Sequence, residues 1–162
     1  RIRKITPAGV VTTIAGTDTP GSVDGTGTDA KFNHPRNVAV DSSGNVFVAD
    51  RGNSRIRKIT PAGVASTLAG SGKPGFADGT GTEAQFDHPT GVAVDSSGNV
   101  FVADQFNYRI RKITLAGMVS TLAGKTSGYE DATGTAAKFK SPRGVAVDSS
   151  GNVYVADADN NR

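Results

Sequence analysis

The strongest constraint on this chain is that it repeats itself. The hexapeptide Arg-Ile-Arg-Lys-Ile-Thr stands at residues 1–6, 55–60 and 109–114, each start 54 residues after the last. The nonapeptide Val-Ala-Val-Asp-Ser-Ser-Gly-Asn-Val stands at 38–46, 92–100 and 145–153, at spacings of 54 and 53. The third copy has lost one residue between Gly124 and Asp131, the counterpart of the stretch from Gly70 to Asp78. A fixed period of this size marks a unit that cannot bury its own faces and must stack on its neighbours. The 162 residues divide into three such units, 1–54, 55–108 and 109–162.

Each unit reads as four short strands. In the middle copy, Val92 to Asp95 is strand one and Asn99 to Asp104 is strand two. Gly98 between them can take the positive φ of a bulged hairpin loop. Arg109 to Thr114 is strand three, and Val64 to Ala69 or Met118 to Ala123 is strand four. Strand two is apolar on both faces, as a sheet between two other sheets requires. Strand three breaks the two-residue period, since Ile56 and Ile59 are three apart. That spacing predicts an outer strand with a bulge; five residues between turns are too few for an ordinary helix. With 21 glycines, no tryptophan and ten Phe and Tyr residues, the composition suits a turn-rich, all-β chain. Four-stranded units repeated radially make a β-propeller.

The residues also resemble the NHL repeat family. The likeness lies in Pro89-Thr90-Gly91-Val92-Ala93-Val94-Asp95, in Gly98-Asn99-Val100-Phe101-Val102-Ala103-Asp104 and in Asn107-Tyr108-Arg109-Ile110, and the frame recurs at 35–56 and 142–162. The resemblance implies a six-bladed ring and a protein- or RNA-binding platform, while related six-bladed folds include metal-dependent lyases and lactonases. Fold similarity alone does not decide among these.

The phase of the repeat carries a further expectation. The chain opens on strands three and four and ends on strands one and two. Three blades do not close a ring, so the chain reads as half of a six-bladed propeller, either a homodimer completed by strand complementation or a piece of a longer propeller. Near-identity of the copies is consistent with recent duplication or with an engineered half-propeller.

Binding residues are expected where the copies differ, on the loops at one end of the blades. The loop from strand two to strand three reads Arg51-Gly52-Asn53-Ser54, then Gln105-Phe106-Asn107-Tyr108, then Ala158-Asp159-Asn160-Asn161. Arg36, Thr90 and Arg143 follow a proline and are expected at the same mouth; with Arg51 and Lys31 they are expected to form a basic rim, and Phe106 and Tyr108 are the aromatic contacts. A solvated rim is the plain alternative, and at net charge +3 nucleic acid is not the favoured partner. His34 and His88 precede those prolines, with Ser141 in the third copy. They can bind a transition metal if the ring brings them together, or cap a backbone turn if it does not.

Two motifs are read as structural. Asp24 to Ala30 and Asp78 to Ala84 match a GxGxxA pattern, but no strand leads in and no long helix follows, so no dinucleotide site is expected. Thr28 or Thr82 is expected to cap a single helical turn, with Ala30, Phe32, Ala84 and Phe86 packing beneath. Asp50 with Arg55, Asp104 with Arg109 and Asp157 with Arg162 are expected as loop-stabilising ion pairs or Asx turns. Catalysis needs unlike groups converging on one point, and repetition places the same group at every spoke. With no cysteine and two histidines, the chain reads as a non-enzymatic scaffold without a cofactor. No apolar run is long enough for a membrane helix, and the residues leave the cellular compartment open.

Overall fold

The computed structural model describes all residues, 1–162. The chain forms fourteen strands. They are β1 (Ile2–Ile5), β2 (Val11–Ala15), β3 (Gly25–Thr26), β4 (Pro35–Val40), β5 (Val46–Asp50), β6 (Arg55–Ile59) and β7 (Val64–Ala69), then β8 (Gly79–Thr80), β9 (Pro89–Val94), β10 (Val100–Asp104), β11 (Arg109–Ile113), β12 (Met118–Ala123), β13 (Pro142–Val147) and β14 (Val153–Asp157). Two sheets are complete blades, in the order β4-β5-β6-β7-β3 and β9-β10-β11-β12-β8. Two are half-blades, β1-β2 and β13-β14. The predicted blade architecture is therefore present. The fifth strand was not anticipated: Gly25 and Thr26 pair with Ala65 and Val64, and Gly79 and Thr80 pair with Val119 and Met118. The segment joining one blade to the next runs along the outer edge of the blade it leads into.

The innermost hairpins are encoded locally. Asp95 accepts bonds from the N–H of Ser97 (2.9 Å) and Asn99 (2.8 Å) and from the Asn99 side chain (2.8 Å). Gly98 sits at φ +81°, where a Cβ would be strained. Asp41 and Asp148 repeat the arrangement in their own copies.

The core lies between sheets. Successive side chains of β5 point to opposite neighbours: Phe47 and Ala49 join Phe86, Val92 and Val102 on one side, and Val48 joins Ile2, Phe32 and Ile59 on the other. This explains why strand two is apolar on both faces. At the axis the strands approach closely. A Cβ on Gly91 would stand 2.5 Å from the Arg143 carbonyl oxygen and 3.0 Å from the Val145 nitrogen, so this position has no room for a side chain.

Strand three corrects two expectations. β6 pairs with β5 without interruption, and the bulge lies in β7, where Ile56 pairs with Ala69 but Arg57 pairs with Thr67. Ile56 and Ile59 point to opposite faces, and Arg57 shares the face of Ile59 inside the core. Arg57 and Arg111 are both 0% exposed. Arg111 donates to the Asp104 carboxylate (2.9 Å), the Asp78 carboxylate (2.6 Å) and the carbonyls of Gln85 (3.0 Å) and Ala77 (2.9 Å). Arg57 binds Asp50, Asp24, Lys31 and Val23 in the same way. The partner of Asp50 is thus Arg57 and not Arg55, and that of Asp104 is Arg111 and not Arg109. Two residues further along strand three, the side chain returns to the face that carries the aspartate, and the guanidinium fork can reach two carboxylates together. Arg55 instead reaches Ser22 Oγ (2.6 Å) and the Ser71 carbonyl (3.1 Å). In the third copy Arg162 lies over the Tyr129 ring, 4.1 Å from its centroid.

The connecting segments correct a third. Thr28 and Thr82 lie within the 3₁₀ turns Gly27–Asp29 and Gly81–Glu83 and do not cap them; Thr26 and Thr80 precede the turns. Ala30, Phe32, Ala84 and Phe86 are buried beneath the segments as expected.

Removing one member of a buried ion pair strands the other in the core. Arg111→Ala is expected to cost about 3–5 kcal/mol of folding stability, measured by denaturant unfolding. The same substitution at exposed Lys73 is expected to change stability by less than about 0.5 kcal/mol.

Candidate functional site

The strand-two to strand-three loops are single 3₁₀ turns: Arg51–Asn53, Gln105–Asn107 and Ala158–Asn160. Each ends on a residue in the left-handed region: Ser54 (φ 49°), Tyr108 (φ 56°) and Asn161 (φ 57°). A second left-handed residue precedes each inner strand: His34 (φ 48°), His88 (φ 54°) and Ser141 (φ 61°). The aspartate closing strand two ties these two loops together. Asp104 accepts the Asp87 N–H (2.8 Å) and the Asn107 side chain (2.8 Å), and Asn107 also donates to the Gly75 carbonyl (2.8 Å). The Asx turn is absent, since no N–H of the following turn reaches the Asp104 carboxylate; its partners are the Asp87 N–H, the Asn107 side chain and the buried Arg111.

Burial sets the electrostatics of that aspartate. It pushes Asp104 up to about 6 from the usual 3.8, while bonds from Asn107 and the Asp87 N–H and the charge of Arg111 pull it down. Asp50 is raised by burial in the same way. Both carboxylates are enclosed in structural bonds, so their shifted titration belongs to the blade frame.

The rim residues come together. Arg36, Asn37, Arg51, Thr90, Gln105 and Arg143 line one cavity of about 350 Å³ at the channel mouth, spanning three adjacent blades. Thr90 and Gln105 are fixed there: Thr90 Oγ1 donates to the Pro142 carbonyl (3.3 Å), and Gln105 Nε2 donates to Ser141 Oγ (2.7 Å). Phe106 is exposed beside the cavity, with Arg51 5.8 Å from its ring centroid. Tyr108 is half-buried and does not line the cavity, and neither does Lys31, which pairs with Val23 within the connecting segment. Asn37, which the sequence reading passed over, lines it too and accepts the Val92 N–H across blades (3.0 Å). Its place two residues after the proline, opposite Gly91, was the available signal.

The histidines stay local. His34 Nδ1 lies 2.7 Å from Asn33 Oδ1, and His88 Nδ1 lies 2.6 Å from Asp87 Oδ1. His88 also stacks on Phe106, with centroids 4.7 Å apart. No group of three or more His, Cys, Asp or Glu side chains gathers anywhere in the chain.

Known proteins place this geometry. The sequence matches the NHL repeat at residues 32–59, 86–113 and 139–162, and the chain belongs to the NHL-repeat β-propeller family. It is 40% identical over 96 residues to the chloroplastic protein SUPPRESSOR OF QUENCHING 1 of Arabidopsis thaliana, covering 59% of this chain and 9% of that one. A Bacteroides thetaiotaomicron structure of unknown function superposes with a TM-score of 0.73 at 32% identity, covering 94% of this chain and 38% of that one. The fold is shared by an auxiliary nutrient binding protein of Bacteroides ovatus (TM-score 0.72, 22% identity, 99% and 41% covered) and by virginiamycin B lyase of Staphylococcus aureus (0.62, 15%, 98% and 42%). Propellers of this shape therefore include both binding proteins and enzymes.

The shifted carboxylate gives a pH prediction. The folded chain holds the Asp104 proton more tightly than the unfolded one. This group's contribution therefore favours folding below the usual carboxylate value and is lost as the pH rises through about 6. Carboxyl-carbon NMR is expected to find its midpoint near 6; a midpoint below 3.8 shows that Arg111 outweighs burial.

Proposed function

We propose that this chain is a non-catalytic binding scaffold, a half-propeller that two copies complete into a six-bladed ring. One observation carries the reading: each half-blade holds one half of the buried ion pair. Arg3 is the counterpart of Arg57 and Arg111, yet it is exposed. Asp157 is the counterpart of Asp50 and Asp104. It accepts the Lys140 N–H (2.7 Å) and the Asn160 side chain (2.5 Å), and no arginine reaches it.

The unpaired surfaces agree with this. β14 pairs only with β13, and β1 only with β2. Val38 is 48% exposed where its counterpart Val92 is 3%, and Tyr154 is 59% exposed where Phe101 is 4%. A groove of about 440 Å³ runs between β1 and β4, lined by Ile2, Ile14, Val38, Val40 and Val46 among others. It lies where strands one and two of a whole blade belong. A β13-β14 hairpin from a second copy fits it. With the register of β5 on β6, Val155 faces Arg3 as Val48 faces Arg57. The reciprocal pairing closes a two-fold ring and removes both free edges.

A scaffold also fits the symmetry of the site, in which the buried aspartates recur in every copy as frame elements. Light scattering after size exclusion is expected to give twice the 16.5 kDa chain mass. Arg3→Glu, which places a second acid beside Asp157, is expected to shift the population to monomer. A wild-type monomer at micromolar concentration overturns the self-complementation.

A further inference from the structure

From the channel-mouth cavity we infer a binding site for a small multivalent oxyanion, a compound carrying two or more carboxylate or phosphate groups. All six lining residues lie on one chain, so the site does not depend on a second copy.

Three arginines from neighbouring blades face this cavity, and nothing in its lining neutralises them. Arg36 and Arg143 hold the position after the proline on β4 and β13, and Arg51 opens the loop after β5. The lining holds no carboxylate and no apolar side chain. Elsewhere in the complete blades, Arg55, Arg57, Arg109 and Arg111 all have hydrogen-bond partners. By contrast, Arg36 and Arg51 donate to no side chain or carbonyl. Arg51 has only the Phe106 ring, whose centroid lies 5.8 Å from its guanidinium carbon. Arg143 reaches Asp159 at 3.5 Å, between two groups that are each about half exposed, a pairing of little strength.

Like charges gathered around one concavity repel, and the cost falls when an anion sits between them. Guanidinium is the group suited to that role, because its planar fork matches carboxylate and phosphate oxygens in pairs. The floor is already in place. Thr90 and Gln105 are buried and tied to Pro142 and Ser141, and Asn37 is tied to Val92, so three blades hold the cavity's shape before anything binds. The volume of about 350 Å³ suits a small molecule. Three arginines on three blades offer separate places for anionic groups, and a ligand carrying two or more such groups engages more than one of them.

Isothermal titration at low ionic strength tests this with two probes, pyrophosphate and citrate, one for each oxyanion chemistry. Saturable binding of at least one is expected, weakening as salt is added. Arg36→Ala and Arg143→Ala are each expected to weaken it about tenfold, with the unfolding midpoint unchanged, and Arg36→Lys is expected to recover part of the loss. Tighter binding of pyrophosphate identifies a phosphate-bearing ligand, and tighter binding of citrate a carboxylate-bearing one. No saturable binding of either, or wild-type affinity in both alanine variants, overturns the assignment. Binding of a single-stranded oligonucleotide with neither small anion bound also overturns it, in favour of nucleic acid.

Discussion

The blade stands on a buried arginine. Arg57 and Arg111 each enter the core from strand three and use both terminal nitrogens, on two carboxylates and two carbonyls. One carboxylate closes strand two and the other lies midway along the connecting segment, directly before its short edge strand. A charge so fully removed from water is tolerated only when its partners are in place. The arginine therefore makes strand two, strand three and the incoming segment depend on one another. The fifth edge strand follows from this, because Asp24 and Asp78 hold the segment against the blade just before it pairs.

That arrangement also positions the channel mouth. The aspartate held by the arginine binds the backbone ahead of the inner strand and the asparagine of the strand-two loop. One of these loops carries Arg51 and Gln105, and the other leads directly into the strand starts that hold Arg36, Thr90 and Arg143. Residues that vary between copies are thus displayed by residues that do not, and the mouth can change its chemistry while the frame stays the same. Arg36, Arg51 and Arg143 are the present content of that mouth.

Much of this was legible in the sequence. The period, the hairpin signal Asp-Ser-Ser-Gly-Asn and the apolar strand two are local patterns with local causes. The rim residues were legible as well, since the position after the proline and the first position of the loop recur at fixed offsets and face the axis together. Strand three was misread because burial of Arg57 looks, in a hydrophobic pattern, like a lapse in periodicity. The aspartate–arginine pairing was displaced by two residues for a related reason: Arg55 and Arg57 share the aspartate's face, and only the packed connecting segment, which brings Asp24 to Arg57, selects between them. The fifth strand left no signal, because two residues, Gly25-Thr26, are too short to show alternation.

The sequence by itself determined the repeat, the four-stranded unit and the hairpin that opens each one, because these rest on side chains a few positions apart. It could not determine what becomes of Arg-Ile-Arg-Lys-Ile-Thr. The three copies are identical, yet Arg57 and Arg111 are fully buried and Arg3 lies in solvent. The difference comes from strand two, which lies beside β6 and β11 and is missing beside β1. Burial and ion pairing are properties of neighbours in space, and those only the tertiary structure decides.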